Sequence, residues 1–293
     1  MAILPQRPPI LRPHFPRDIS RLIPLQTRVR CSATAPAKPV QRSLKIGPRT
    51  PRPPLPNQLS LKSTWSHRAW VAGGCTTVLI SLAKSFSGAA SSHVWLEPIL
   101  AGLVGYVLAD LGSGIYHWSI DNYGGPNTPV FGPQIEAFQG HHKWPWTITR
   151  RQFANNLHAL ARAVFFVVLP VDLACEDPVL LGFVGACSGC IMFSQQFHAW
   201  AHTTKSRLPP VVAALQDGGV LVSRSQHAAH HRPPYSGNYC IVSGVWNEVL
   251  DGSRFFEALE MAIYFRFGVR PRSWDDPTSD WAEDGRITSL ESP

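Results

Sequence analysis

Four apolar stretches and four clusters of histidine divide this sequence between them, and their order leaves few folds open. Residues 69–87 (AWVAGGCTTVLISLAKSFS) and 94–116 (VWLEPILAGLVGYVLADLGSGIY) are long enough to span a bilayer as helices. A third and a fourth run, about 159–174 and 178–197, are split by CEDP, whose acids and proline make a tight turn between two helices. The third is short and carries Arg162 near its start. The histidine clusters are GIYHWSIDNYGG with His117 and Asp121, AFQGHHKWP with His141 and His142, SQQFHAWAHTTKS with His198 and His202, and SQHAAHHRPP with His227, His230 and His231. Two crossings separate His142 from His198, and an even number of crossings returns a chain to the side it left. All four clusters then face one side.

The expected fold is an all-α membrane protein, a bundle of about four transmembrane helices with a histidine-rich di-iron domain on one face. A mean hydropathy of −0.04 is low for a membrane protein and keeps a soluble helical core in view. The polar histidine segments and the leader lower that mean, however. Charge orients the bundle: Lys143, Arg150, Arg151, Lys205, Arg207 and Arg224 crowd the histidine side, while the opposite turn has Asp172, Glu176 and Asp177 with no base.

Histidines four residues apart share one helix face and can chelate one ion, as His198 and His202 would. His227 with His230 or His231 repeats the geometry, and His117 with Asp121 adds a carboxylate. Adjacent His141 and His142 point about 100° apart on a helix and can serve two ions. Eight of the 12 histidines fall in these clusters; His14, His67, His93 and His158 lie elsewhere. A structural zinc is satisfied by four ligands, whereas eight imidazoles and a carboxylate are enough for two ions. Nitrogen and oxygen ligands without thiolate suit iron, and two irons beside a membrane suggest oxygen activation. That is the chemistry needed to take hydrogen from an unactivated alkyl chain.

Two lesser candidates accompany the set. His158, at a helix start after the second cluster, reads as a ninth histidine ligand or as a capping hydrogen bond. Asp110 lies seven residues before His117 at nearly the same helical azimuth, within an apolar run, where an ionisable group needs a partner or a role. It reads either as a carboxylate orienting His117 or as a helix-packing acid.

Residues 1–60 hold nine Arg and two Lys against one acid, Asp18, a net +10; the chain's +8 leaves −2 for the rest. The basicity belongs to the leader, which argues against a nucleic-acid-binding fold. Rich in Pro and Arg and lacking a secretory apolar core, residues 1–60 read as a plastid transit peptide and leader, with cleavage near Cys31 in TRVRCSATA. A membrane domain carrying the four histidine clusters would occupy 61–270 and an acidic tail 271–293. Six scattered cysteines imply reduced thiols, and Cys187 and Cys190 are read as small packing residues. Residues 251–269 place Phe255, Phe256, Leu259, Ile263 and Phe267 on one helical stripe, for a membrane surface or for a core.

The stretches ADLGSGIYHWSIDNYG, IEAFQGHHKWPWTITRRQFANNLHAL, FSQQFHAWAHTTKSRLPP and VSRSQHAAHHRPPYSGNYCIVSGVWNEVLD resemble the plastid fatty acid desaturase 4 family, related to plasmanylethanolamine desaturases, over about residues 60–280. The resemblance implies a di-iron enzyme of the chloroplast thylakoid or envelope, its histidine face toward the stroma. It would use oxygen and ferredoxin electrons to place a trans double bond at carbon 3 of palmitate esterified in phosphatidylglycerol, or in a related glycerolipid. It implies the metal ligands His117, Asp121, His141, His142, His198, His202, His227, His230 and His231, the set that spacing proposes. Ala229 departs from the acid expected there. It points away from the ligand face, so the departure bears on tuning or activity rather than ligation, and it leaves open a desaturase 4-like relative whose lipid substrate is not the standard one. Rival readings are a di-iron lipid hydroxylase, separated by product mass, and a non-catalytic membrane metal-binding protein, separated by zinc in place of iron.

Overall fold

The structure is a computed structural model that describes residues 61–274, all within a compact unit that begins at Pro54. The leader and the residues after Trp274 lie outside the described part, and with them the transit-peptide reading and most of the acidic tail. Among the described residues there is no strand. Four helices are long and apolar enough to cross a membrane: α1 (Trp65–Ser92), α2 (Leu96–Asn122), α5 (Phe153–Ala174) and α6 (Pro178–Ala201). Short helices join and follow them: α3 (Gly132–Lys143), α4 (Thr147–Arg150), α7 (Pro210–Asp217), α8 (Arg224–His230), α9 (Asn247–Gly252) and α10 (Phe255–Phe267).

Each long helix outruns its apolar stretch. Helix α2 continues through His117 and Asp121, α6 continues to Ala201, and α5 begins at Phe153, ahead of His158. The polar residues at these ends extend the same helical faces, which is why the clusters lie at one end of the bundle. Helix α6 starts where Asp177 caps it, its Oδ1 accepting from the Leu180 N–H at 2.7 Å, with Pro178 in the first turn.

Helix α6 packs against α1, α2 and α5, and α1 packs also on α5. Lipid is as apolar as a leucine side chain, so close backbone approach rather than water exclusion holds such helices together. At Gly105 of α2 an added Cβ would lie 2.7 Å from the Phe183 carbonyl oxygen and 3.1 Å from the Cys187 nitrogen of α6. Outward faces carry exposed Leu79, Phe86, Ile99, Leu103, Phe166 and Val167, as lipid contact requires.

The turn at the far end is not left without a base. Lys84 of α1 reaches it, donating to the carbonyls of Asp172 (2.6 Å) and Cys175 (2.7 Å) and pairing with Glu176 at 2.7 Å. Ser81 donates to Asp172 Oδ1 at 2.5 Å. The base comes from a different span, which local charge reading does not reveal.

Residues 251–269 do not form one helix. The chain breaks at Ser253 and at Arg254, where φ is +55°, and α10 starts at Phe255. Phe256, Leu259 and Ile263 pack with Trp118 and Tyr239, while Phe255 and Phe267 are exposed. All five described cysteines are free thiols.

Gly105→Leu forces α2 off α6. Overpacking of this kind costs about 1–3 kcal/mol, so the thermal midpoint of the purified protein in detergent drops; an unchanged midpoint would contradict this packing.

Candidate metal centre

The nine side chains arrive from four helices. His117 and Asp121 sit on the last turns of α2, and His141 and His142 at the end of α3. His198 lies on α6 with His202 as the residue that ends it. His227 and His230 belong to α8, with His231 ending that helix. Helix α8 forms where it does because Ser223 caps it: Ser223 Oγ accepts the Gln226 N–H at 3.2 Å, and Gln226 Oε1 accepts the Ser223 N–H at 3.4 Å.

They fall into two groups. His141, His198, His202, His227 and His231 form one, and His117, Asp121, His142 and His230 the other; within each, one potential ligand atom per residue lies within 4.8 Å of the rest. The adjacent pair His141 and His142 divides between the groups. His158 and Asp110 belong to neither. His158 stacks on His67 with ring centroids 3.9 Å apart, and its Nδ1 lies 2.8 Å from the Asn155 carbonyl oxygen. Cys187, Cys190 and Ala229 also lie outside both groups.

In the first group His202 Nε2 lies 2.8 Å from His141 Nε2 and 2.7 Å from His227 Nε2, which is 3.1 Å from His231 Nε2. In the second, Asp121 Oδ2 lies 3.0 Å from His142 Nε2 and 3.3 Å from the Nε2 atoms of His117 and His230. Ligands about 2.1 Å from one ion stand roughly 3 Å apart along an octahedral edge, so these contacts have the dimensions of coordination edges. His198 is 1% exposed and hydrogen-bonds through neither ring nitrogen; His117 Nε2, His230 Nε2 and Asp121 Oδ1 are likewise buried without hydrogen-bond partners. A buried polar atom left unpaired costs about 1–3 kcal/mol. Cations at the two groups remove that cost, and the residues fit them.

The tautomer of two ligands is fixed from behind. His117 Nδ1 lies 2.9 Å from the Tyr239 carbonyl oxygen, and His230 Nδ1 lies 2.8 Å from that of Gly237. A carbonyl only accepts, so each Nδ1 carries the proton and each Nε2 offers its lone pair inward.

The loop supplying those carbonyls is held by Asp110. This fully buried carboxylate accepts at Oδ1 from the N–H groups of Val242 (3.1 Å), Ser243 (2.8 Å) and Gly244 (2.9 Å), and at Oδ2 from Trp246 (3.3 Å). Ser113 Oγ accepts the Ile241 N–H at 3.0 Å. A Cβ at Gly114 would collide with Cys240, so the loop lies directly on α2. Asp110 touches His117 nowhere; it orients that imidazole through the backbone between them.

Residues that sequence reading passed over complete the support. Buried Glu260 of α10 accepts from Trp118 Nε1 (3.0 Å), Ser273 Oγ (2.9 Å) and Trp274 Nε1 (2.8 Å). Arg272 donates to the Asp121 carbonyl at 3.1 Å and to that of Gly124, and the Ser273 N–H donates to Asn122 Oδ1 at 2.9 Å. The end of α2 is thereby closed just where Asp121 leaves it. An acid on the apolar stripe FFEALEMAIYF was the available signal for Glu260; nothing local marks Arg272.

Burial first, then neighbouring imidazoles, hold His141, His227 and His231 well below the usual histidine value, and burial with its charged neighbours brings His202 to about 3.

Fold and site together define a membrane protein with a histidine-rich centre, able to hold metal, at one end of its helical bundle. Residues 106–274 match the family model described as the lipid desaturase domain. The chain is 64% identical over 295 residues to fatty acid desaturase 4, chloroplastic, of Arabidopsis thaliana, covering 90% of this chain and 91% of that one. It is 55% identical over 289 residues to fatty acid desaturase 4-like 1, chloroplastic, of the same plant, covering 97% of each. It is 31% identical over 195 residues to plasmanylethanolamine desaturase 1 of Mus musculus, covering 63% of this chain and 70% of that one. No solved structure matches. The chain belongs to the lipid desaturase family, within its fatty acid desaturase 4 group, and is an oxidoreductase.

Two outcomes follow. Asp110→Asn takes the charge from a carboxylate that gathers four N–H groups, and hydrogen bonds to a charged group are worth about 1.5–3 kcal/mol. The thermal midpoint should fall accordingly, and a variant as stable as wild type would remove Asp110 from this role. Because the four histidines bind protons less readily folded than unfolded, their stabilisation is complete above about pH 6.5 and is lost as the pH falls toward the folded values. Chelator-treated protein should hold its midpoint from pH 8 to 7 and lose it steadily below 6.5; a level profile down to pH 5 would contradict the burial of these rings.

Proposed function

We propose that the protein is a di-iron acyl-lipid desaturase of the chloroplast thylakoid or envelope membrane. It places a trans double bond at carbon 3 of palmitate esterified in phosphatidylglycerol. In the overall balance the acyl chain loses two hydrogens, and O2 with two electrons and two protons becomes two waters. The observation that carries the reading is the pair of ligand groups, with both His198 ring nitrogens and the Nε2 atoms of His117 and His230 buried without a hydrogen bond, at the end where four apolar helices leave the bilayer. The names of the plant relatives support the acyl substrate and the chloroplast.

The ligand assignment proposed is His117, Asp121, His142 and His230 for one ion and His141, His198, His202, His227 and His231 for the other. Iron held there supplies the oxidising power to remove hydrogen from an unactivated alkyl chain, which no side chain possesses. The protein's own part is to keep the centre dry and pre-arranged. His117, His198, His227 and His230 are each at most 1% exposed, and the Tyr239 and Gly237 carbonyls keep two imidazoles in the ligating tautomer. Ferredoxin is the proposed electron donor; exposed Arg150, Arg207, Arg224 and Arg232 give the histidine end a basic rim suited to an acidic carrier. The same bias favours the stromal side for that end.

Purified protein should carry close to two irons per chain. Expression in a plastid host should add trans-3-hexadecenoate to phosphatidylglycerol, two mass units below palmitate. His142→Ala and His202→Ala should each abolish the product and lower the iron content. One zinc and no iron would overturn the reading, as would a product that gains oxygen instead of losing hydrogen.

A further inference from the structure

Beside the five-histidine group lies a small chamber, partly open to the outside. Phe138, His141 and His198 line it on the side of the centre, and Asn156, Gln195 and Arg151 complete the wall. Its walls come from α3 and α4 together with the start of α5 and the end of α6, so it lies where two spans meet the short helices at the histidine end. Asn156 Nδ2 donates to the Gln195 carbonyl at 2.9 Å, which ties the two helices together there. No acid among the described residues lines the chamber.

Two consecutive arginines behave differently at its edge. The Arg150 guanidinium lies 4.5 Å from the centroid of the Trp146 ring and is engaged by that aromatic face. Arg151 has no hydrogen bond or ion pair with any described residue and lines the chamber. Arg151 is exposed to solvent and also lines a cavity that touches the ligating imidazoles, beside carboxamides and with no acid, which is a setting suited to an anion. A planar guanidinium offers paired N–H donors that match two oxygens of one phosphate.

We propose that Arg151 and this chamber bind the phosphate of the lipid substrate's head group, which sets the acyl ester beside His141 and His198. The inference rests on the desaturase reading and deepens it. A double bond at carbon 3 puts the reacting carbons within a few bonds of the ester, so the head group has to be held close to the centre. Arg151 is therefore a specificity-determining residue: it selects lipids that carry a phosphodiester over neutral glycerolipids and fixes which carbons reach the ligands.

The test is binding by the full-length, metal-loaded protein in neutral detergent, followed by tryptophan fluorescence, with dihexanoyl phosphatidylglycerol, dihexanoylglycerol and inorganic phosphate as separate probes. Wild type should bind the phosphatidylglycerol at least about tenfold more tightly than the dihexanoylglycerol, a factor worth about 1.4 kcal/mol. Arg151→Gln should lose that preference, Arg151→Lys should keep part of it, and Arg266→Gln, on exposed α10 away from the chamber, should bind as wild type, with metal content equal in all. The inference is overturned if Arg151→Gln binds the phosphatidylglycerol as wild type does, or if inorganic phosphate binds as tightly as the lipid. Binding is read without turnover, so the two readings fail separately. Arginine-dependent binding with no double bond formed sinks the desaturase reading alone, and double-bond formation indifferent to Arg151 sinks the head-group site alone.

Discussion

A single carboxylate fixes the part of the molecule that has the least regular structure of its own. The segment from Gly237 to Trp246 is neither helix nor strand, yet its carbonyls set two of the imidazoles. Asp110 gathers four of its N–H groups into one fan, and the loop is stitched to α2 with no helix of its own. Backbone donors in a dry interior must be paired, and here one side chain pairs four of them. Rigidity at the centre thus originates two helical turns away from it, inside the apolar part of α2.

The same logic explains why the centre tolerates so much buried polarity. Seven of the nine clustered side chains are at most 5% exposed, a density of polar groups that an apolar core would normally exclude. The interior resolves it by pairing. Some imidazoles face backbone carbonyls, and others face one another or Asp121. Metal binding and folding are then coupled, because the arrangement that satisfies the ligands is also the arrangement the ions need.

Much of this is legible in the order of the residues. Hydropathy is a local property, so the four spans can be read directly, and ligand spacing on a helix is local as well, so the nine residues can be gathered onto one face. The division of His141 from His142 follows from their angular separation on a helix. What escapes is long-range. Asp110 reads as an acid near His117 by azimuth, but its partners are more than 130 positions away. Lys84 neutralises a turn on another pair of helices, and Glu260 on an apolar stripe looks like an interruption of the stripe and is instead its anchor. Apolar runs understate the length of the helices for a related reason: they stop where the ligands begin, but the backbone hydrogen bonds continue through them.

The turn at Arg272 to Trp274 has a bearing on biosynthesis. Arg272 comes 151 positions after Asp121, whose carbonyl it engages. A nascent chain paused short of that point already contains every clustered histidine but leaves the tip of α2 open. The contact that closes the tip of α2 is therefore among the last that synthesis makes possible, after the four spans and all nine clustered side chains have been made.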